Sequence, residues 1–189
     1  SNNTGMEKMP KSKSGYYSGF FWVAVISFMV PLVVAYKAFD AVRPATKPIS
    51  HPDTSGVDHA LWDYLLKSYV AEGLVDYDGM TKDYLFRTYV KQLAECDPAA
   101  LTEEPERLAL LINAYNAFVI NGVITHKIRS SVMDFHSQGR EFFDIPEHIL
   151  AGRTMSLNHI EHELIRKIFH EPRVHVALVC AARSCPSIR

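Results

Sequence analysis

From residue 15 to residue 35 the chain reads GYYSGFFWVAVISFMVPLVVA, 21 residues without a single charge. As a helix, a run of that length crosses a hydrocarbon core of roughly 30 Å. Tyr16, Tyr17 and Trp22 lie toward one end, where an interfacial aromatic belt would sit. The preceding residues 1–14 are polar and carry Lys8, Lys11 and Lys13 against Glu7. A basic head followed by an apolar run at the N-terminus is a targeting pattern. Cleavage after Ala35, with Val33 at the minus-three position, gives a weak signal-peptidase site, and the run is long for a signal peptide. An uncleaved single-pass anchor is the preferred reading, with the lipid bilayer as partner through residues 15–35. Lys37, Arg43 and Lys47 flank the far side, so the positive-inside rule decides little. By position, the N-terminus stays inside and the globular part is extracytoplasmic.

This divides the chain into a basic tail (1–14), an anchor or signal segment (15–36), a linker (37–57) and a globular domain (58–189). The linker is marked by Pro44, Pro48, Pro52 and Gly56, which remove amide donors and favour extended backbone. The chain stops just past Cys185-Pro186, so the domain is expected to be incomplete at its C-terminus. A net charge of −1 with 22% charged residues gives no basic stripe for nucleic acid, so none is expected as a partner. The 3 cysteines are too few for a disulfide scaffold. No cofactor and no metal are expected.

Periodicity predicts four helices. Leu61, Trp62, Leu65, Leu66, Tyr69 and Val70 mark the first, ending near Gly73. Val75-Asp76-Tyr77 is read as extended before an Asp78-Gly79 turn. Tyr84, Leu85, Tyr89, Val90 and Leu93 mark the second helix, stopping near Asp97-Pro98. The third spans about 103–125 with Thr102 as cap and Pro105 in its first turn. It is apolar nearly all round, which predicts burial. Phe142-Phe143 is expected to pair with Ile149-Leu150 as short strands, and Gly152-Arg153 to turn. Ser156 or Asn158 caps a fourth helix over 157–169. Val174, Val176 and Leu178 alternate with His175, Ala177 and Val179, which predicts a strand ending near Cys180. The fold class is α+β: a helical N-terminal part with a long buried helix, and a small sheet formed by the C-terminal part.

The residues with chemical potential cluster late in the chain. Asn113 and Asn116 are three apart on the buried helix and are expected to share a face. A buried amide needs partners, so both either tie neighbouring loops to the helix or serve a site, orienting an imidazole or stabilising an oxyanion. His162 and Arg166 are a turn apart, as are His159 and Glu163. Such pairs can bind zinc, but His-Ile-Glu-His-Glu is not the His-Glu-x-x-His motif. Cys180 and Cys185 stand where the last predicted strand runs out, with Arg183 between them. A loop thiol whose pKa is lowered by a nearby histidine is a nucleophile. Two cysteines five apart in an exported domain also suit a local disulfide, and buried cysteine suits packing or metal. In a regular strand His175 and Cys180 face opposite ways, which leaves His162 as the partner for Cys180. His162 is expected to face the Cys180 loop. Cys96 is read as structural. The candidate catalytic residues are therefore Cys180, His162, Asn116, Asn113, His175 and Cys185.

Asn-Ala-Tyr-Asn-Ala at 113–117, Leu-Asn-His-Ile-Glu-His at 157–162, Pro-Arg-Val-His at 172–175 and Cys-x-x-x-x-Cys-Pro at 180–186 resemble, in that order, the domain of unknown function (DUF) 547 family. Val75-Asp76-Tyr77 is similar to a further element, so the resemblance is expected to cover about 61–189. Bacterial members often carry an N-terminal signal or anchor. His159 stands where members commonly have an acidic residue. Members differ at the second cysteine, which favours Cys180 over Cys185 as nucleophile. The resemblance implies no reaction. The residues themselves suggest a membrane-anchored cysteine-dependent hydrolase or acyl transferase, against a non-enzymatic interaction domain or a thiol redox domain.

Overall fold

A computed structural model describes residues 47–49 and 51–179. The apolar run 15–35 and the Cys180–Cys185 loop lie outside the described residues. Phe39–Arg189 forms one compact unit, and it is α+β: helices come first, then short antiparallel ladders around a late helix.

Helix α1, His59–Tyr69, starts at Asp58, whose carboxylate accepts from the Ala60 N–H. It buries Leu61, Trp62, Leu65 and Tyr69. Strands β1, Val70–Ala71, and β2, Leu74–Val75, form a hairpin. Its turn, Glu72-Gly73, has positive φ at both residues, the geometry a two-residue hairpin turn prefers. The same X-Gly solution recurs at Gln138-Gly139 and Ala151-Gly152.

The expected turn at Asp78-Gly79 lies instead inside helix α2, Tyr77–Lys82. Asp76 caps that helix by accepting from Gly79 N–H at 2.8 Å. A Cβ on Gly79 would meet the Asp76 carboxylate and lie 2.8 Å from the Tyr69 ring, so glycine is there for close approach to α1, not for a turn. Helix α3, Tyr84–Glu95, is capped by Asp83.

Helix α4, Glu104–Thr125, is the centre of the domain. Thr102 is not its cap. Glu103 occupies the cap position without a side-chain bond, and Glu104 and Glu106 supply negative charge to the first turn. Every residue from Ala114 to Ile120 is buried. By length and a mean hydropathy of 1.6 this helix would pass for a membrane span. It is instead packed on by α2, α3 and the late helix, which is why its apolar surface runs all round.

Strands β3, His136–Ser137, and β4, Arg140–Glu141, form a second ladder, and β5, His148–Leu150, and β6, Arg153–Met155, a third. Phe142-Phe143 does not pair with Ile149-Leu150. It lies in a 3-10 turn, Phe142–Asp144, that drops the Phe142 ring onto Gly122 of α4. There a Cβ on Gly122 would lie 2.8 Å from the ring. Phe135 and Phe143 pack edge-on against Phe142. The tip of β5–β6 donates Ala151 and Gly152 N–H to the Leu93 and Ala94 carbonyls, satisfying acceptors that the end of α3 leaves open.

Helix α5 begins at Leu157–His159, capped by the Ser156 hydroxyl accepting from His159 N–H. It continues as a π turn, Ile160–Arg166. The strand expected over 174–179 is a short helix, α6, Val174–Ala177. The Glu171 carboxylate accepts from the backbone N–H of Arg173, and the Glu171 carbonyl from Val174 N–H. That starts a turn before any strand can form. The alternation of Val174 and Val176 does not mark two faces of a sheet: Val174 is buried and Val176 is 68% exposed.

Candidate functional site

The π turn decides what gathers at the site. In an α-helix of ~3.6 residues per turn, side chains five apart point in different directions. The i→i+5 bond from Lys167 N–H to His162 carbonyl (3.2 Å) widens the helix and brings Glu161 and Arg166 together. Arg166 Nη2 pairs with Glu161 Oε1 at 2.5 Å. Glu161 also accepts from the Tyr115 hydroxyl of α4 at 3.2 Å. Burial, reinforced by the Glu161 charge, pushes the Tyr115 phenol above its ordinary pKa, so it remains a donor. Arg166 reaches α6 as well: Nη2 lies 2.9 Å from His175 Nδ1 and Nη1 lies 3.2 Å from Nε2. A guanidinium only donates, so the unprotonated nitrogen of His175 is occupied as acceptor. Tyr115, Glu161, Arg166 and His175 thus form one chain across three elements. π turns recur at functional sites.

Asn116 stands beside Tyr115 on α4 and is buried. Its Nδ2 donates to the Ala177 carbonyl and its Oδ1 accepts from Val179 N–H, both at 3.0 Å. One side-chain amide therefore does for this segment what a neighbouring strand would do, and it holds the backbone that leads directly into Cys180. Replacing Asn116 with Leu should cost about 1–3 kcal/mol, because two buried backbone groups lose their partners. Urea unfolding of the variant checks this; a cost below about 0.5 kcal/mol would mean that water replaces both bonds.

Asn113 does not share this task, contrary to the expectation of a common face. Its Nδ2 approaches His59 Nδ1, at the start of α1, at 3.3 Å. His59 Nδ1 is also 3.0 Å from the Tyr89 hydroxyl, and its Nε2 is 3.8 Å from Asp53. Burial holds the His59 pKa below its ordinary value despite Asp53 and Asp58. Sixty degrees of helix rotation, three residues at ~3.6 per turn, is enough to send the two amides to different elements.

The residues spaced one turn apart on the late helix do not pair as that spacing allows. His162 does not pair with Arg166, and His159 does not pair with Glu163; Glu163 binds Lys167 at 2.6 Å, one α-type turn away. The His162 side chain is exposed and has no hydrogen-bond partner among the described residues. Cys96 is buried and free, its thiol donating to the Leu93 carbonyl at 3.2 Å. Burial pushes that thiol up, which suits a structural role. Among the described residues no group of three His, Cys, Asp or Glu side chains is arranged to hold a metal.

Tyr115, Glu161 and Arg166 were not among the candidate catalytic residues from sequence, where Arg166 was noted only for its spacing from His162. The only signal for the last two was a five-residue spacing, which helical periodicity treats as noise. An open groove of about 690 Å³ adjoins this site, between the first half of α4 and the segment that includes α6.

No curated protein and no solved structure matches the chain. The family match begins at residue 98, inside the stretch from residue 61 that the resemblance was expected to cover, and so leaves out Val75-Asp76-Tyr77. Residues 98–189, which hold all four ordered motifs and both halves of the Tyr115–Asn116 site, match the family described as Protein of unknown function, DUF547.

Proposed function

We propose that this chain is a cysteine-dependent acyl transferase or hydrolase, with Cys180 as nucleophile. The observation that carries the reading is the Asn116 amide, which holds the Ala177 carbonyl and the Val179 N–H and so fixes the backbone entering residue 180. Fixing a nucleophile's approach is worth more to a reaction than to a fold, since small misplacements cost large factors in rate. In this reading His162 takes the thiol proton, and the Cys180 sulfur forms a bond to the acyl carbon. The bond from that carbon to the leaving oxygen or nitrogen breaks, and His162 returns the proton to the leaving group. Water or an acceptor nucleophile then cleaves the thioester and restores the thiol. His162 suits the base role because its ring is unencumbered, whereas Arg166 occupies the acceptor nitrogen of His175. Asn116 is a positioning residue. Tyr115 and Glu161 position Arg166 and, through it, His175.

Iodoacetamide labelling at neutral pH tests this on the full chain with Cys96 and Cys185 replaced by Ser. Cys180 should label at least tenfold faster than a model thiol, and the excess should vanish with His162→Gln. A Cys180 that labels at the model rate would sink the nucleophile reading. A specific observation favours the rival, a non-enzymatic binding module: Asn116, Glu161 and His175 are all engaged in bonds within the domain. A slow thiol would support it. Reversible pairing of Cys180 with Cys185 in the otherwise native chain would favour thiol redox chemistry.

The same proposal places the domain outside the cytoplasm on a single-pass anchor formed by residues 15–35. The uncharged run of bilayer length supports this. The full chain should stay with membranes through a carbonate wash, and its release into the supernatant with an intact N-terminus would refute the anchor.

A further inference from the structure

We propose that the corner of the domain where α3 begins rests on an anionic phospholipid surface, with Lys82 and Arg87 on the phosphates and Tyr84 among the headgroups; this rests on the anchored reading for the bilayer it meets. Lys82 ends α2, Tyr84 opens α3, and Arg87 stands one turn further on. Arg87 Nη1 donates to the Thr81 carbonyl at 3.1 Å, which turns its guanidinium back toward Lys82. All three side chains are exposed, Tyr84 by 56%.

Asp83, the acid in the middle of this group, does not cancel it. Its side chain is 2% exposed and accepts from Leu85 N–H, from the Tyr69 hydroxyl and from Lys47. Lys47 Nζ lies 3.0 Å from Asp83 Oδ1 and 4.5 Å from the centre of the Tyr84 ring. Lys47 therefore supplies the positive charge that the buried carboxylate needs, and Lys82 and Arg87 are left in excess. Asp78, one turn before Lys82 on α2, is paired with Arg129 at 3.0 Å. Among the described residues neither Lys82 nor Arg87 has a carboxylate partner. One turn beyond Arg87, Lys91 meets Glu95 at 3.7 Å, so the excess is confined to the start of the helix. The whole chain carries −1, so this corner is a local patch on a chain that is not basic.

Two features select a lipid surface as the occupant. The cations stand beside exposed amphipathic and apolar groups: Tyr84, and Ile49, two residues from Lys47 and 78% exposed. Tyrosine with lysine and arginine is the combination that seats at a membrane interface, the ring and the aliphatic stems among the headgroups and the charges at the phosphates. Chain length is the second feature. Residue 35, where the proposed anchor ends, is 12 residues before Lys47. That is a span of at most about 43 Å. A tether so short presents this corner to the bilayer at high effective concentration, so even a weak contact is populated.

The test uses the full chain in lipid nanodiscs, either of neutral phosphatidylcholine or with about one-third phosphatidylglycerol, and reads amide hydrogen exchange. Exchange over residues 82–88 should be at least about threefold slower in the anionic discs, and the difference should fade as salt is raised. The double variant Lys82→Glu with Arg87→Glu should exchange alike in both discs. Both side chains are exposed, and unchanged exchange in α4 checks that the variant folds. Equal exchange in both discs for the unmodified chain, or slowing that survives the charge reversal, would overturn the assignment. Slowing by heparin in neutral discs, with none in anionic discs, would make the corner a site for an acidic macromolecule and overturn it too. A chain that carbonate releases from membranes tests the corner separately. Its flotation with phosphatidylglycerol vesicles at low salt, lost in the double variant, would uphold the corner and sink the anchor; no flotation would overturn both.

Discussion

Phe118→Ala should cost the domain about 3–5 kcal/mol, the range for truncating a fully buried aromatic ring. Phe118 is 1% exposed, in the part of α4 that is buried on all sides. Its ring stacks on His148 with centroids 5.1 Å apart, so it joins the central helix to the β5–β6 hairpin. That hairpin in turn satisfies the end of α3. The loss is therefore not confined to one cavity. The urea midpoint should fall, and hydrogen exchange at Ala151 and Gly152 should quicken. Phe118→Leu keeps most of the volume and should cost less than about 1.5 kcal/mol. A Phe118→Ala midpoint within experimental error of the parent would show that the ring contributes no packing.

The second large effect is a loss of stability in acid. His148 is 2% exposed, and neither ring nitrogen has a hydrogen-bond partner among the described residues. Burial, with a smaller push from His126, lowers its pKa from 6.5 to about 4. Glu147 lies near, its Oε1 3.9 Å from His148 Nε2, but it is bonded to His126 Nε2 at 2.9 Å. The fold therefore refuses a proton that the unfolded chain accepts. No penalty exists above pH 6.5. As pH falls from 6.5 toward 4 the unfolded state binds the proton first, and stability drops by up to about 3 kcal/mol. Below about pH 4 this contribution levels off. Asp83, Glu163 and Glu171 have lowered pKa values, so their stabilisation is lost mainly at lower pH than this window. Denaturant unfolding at pH 7, 6, 5 and 4.5 resolves the window. His148→Gln, which cannot titrate, should make the slope there shallower, leaving the contribution of His59, whose pKa burial also lowers. An unchanged slope in that variant would remove His148 as the cause.

Both effects arise where local elements meet, and so does the site. The helices α1, α3 and α4 could be read from the chain because their apolar spacing acts within a few residues. The burial of α4 followed from its uniform apolarity, and Gly152 marked a turn, whereas Gly73, read as the end of the first helix, lies in the turn of the β1–β2 hairpin. The α+β class and the motifs of the matched family were legible for the same reason: each is written in contiguous residues.

Only the tertiary structure decided which polar groups meet. Asn113 and Asn116 look equivalent in sequence, yet one faces His59 and the other splints Ala177 and Val179. A rotation of three residues chooses between two packing partners, and nothing local fixes what those partners are. The pairing of Glu161 with Arg166 depends on one widened turn, and Tyr115 and His175 approach from two other elements. Residues 174–179 alternate like a strand but, among the described residues, have no strand edge beside them; Asn116 supplies the bonds instead. Local propensity is a matter of a few tenths of a kcal/mol per residue. Leaving a buried backbone group unpaired costs about 1–3 kcal/mol. Where the two conflict, as they do around Asn116, the long-range pairing sets the conformation.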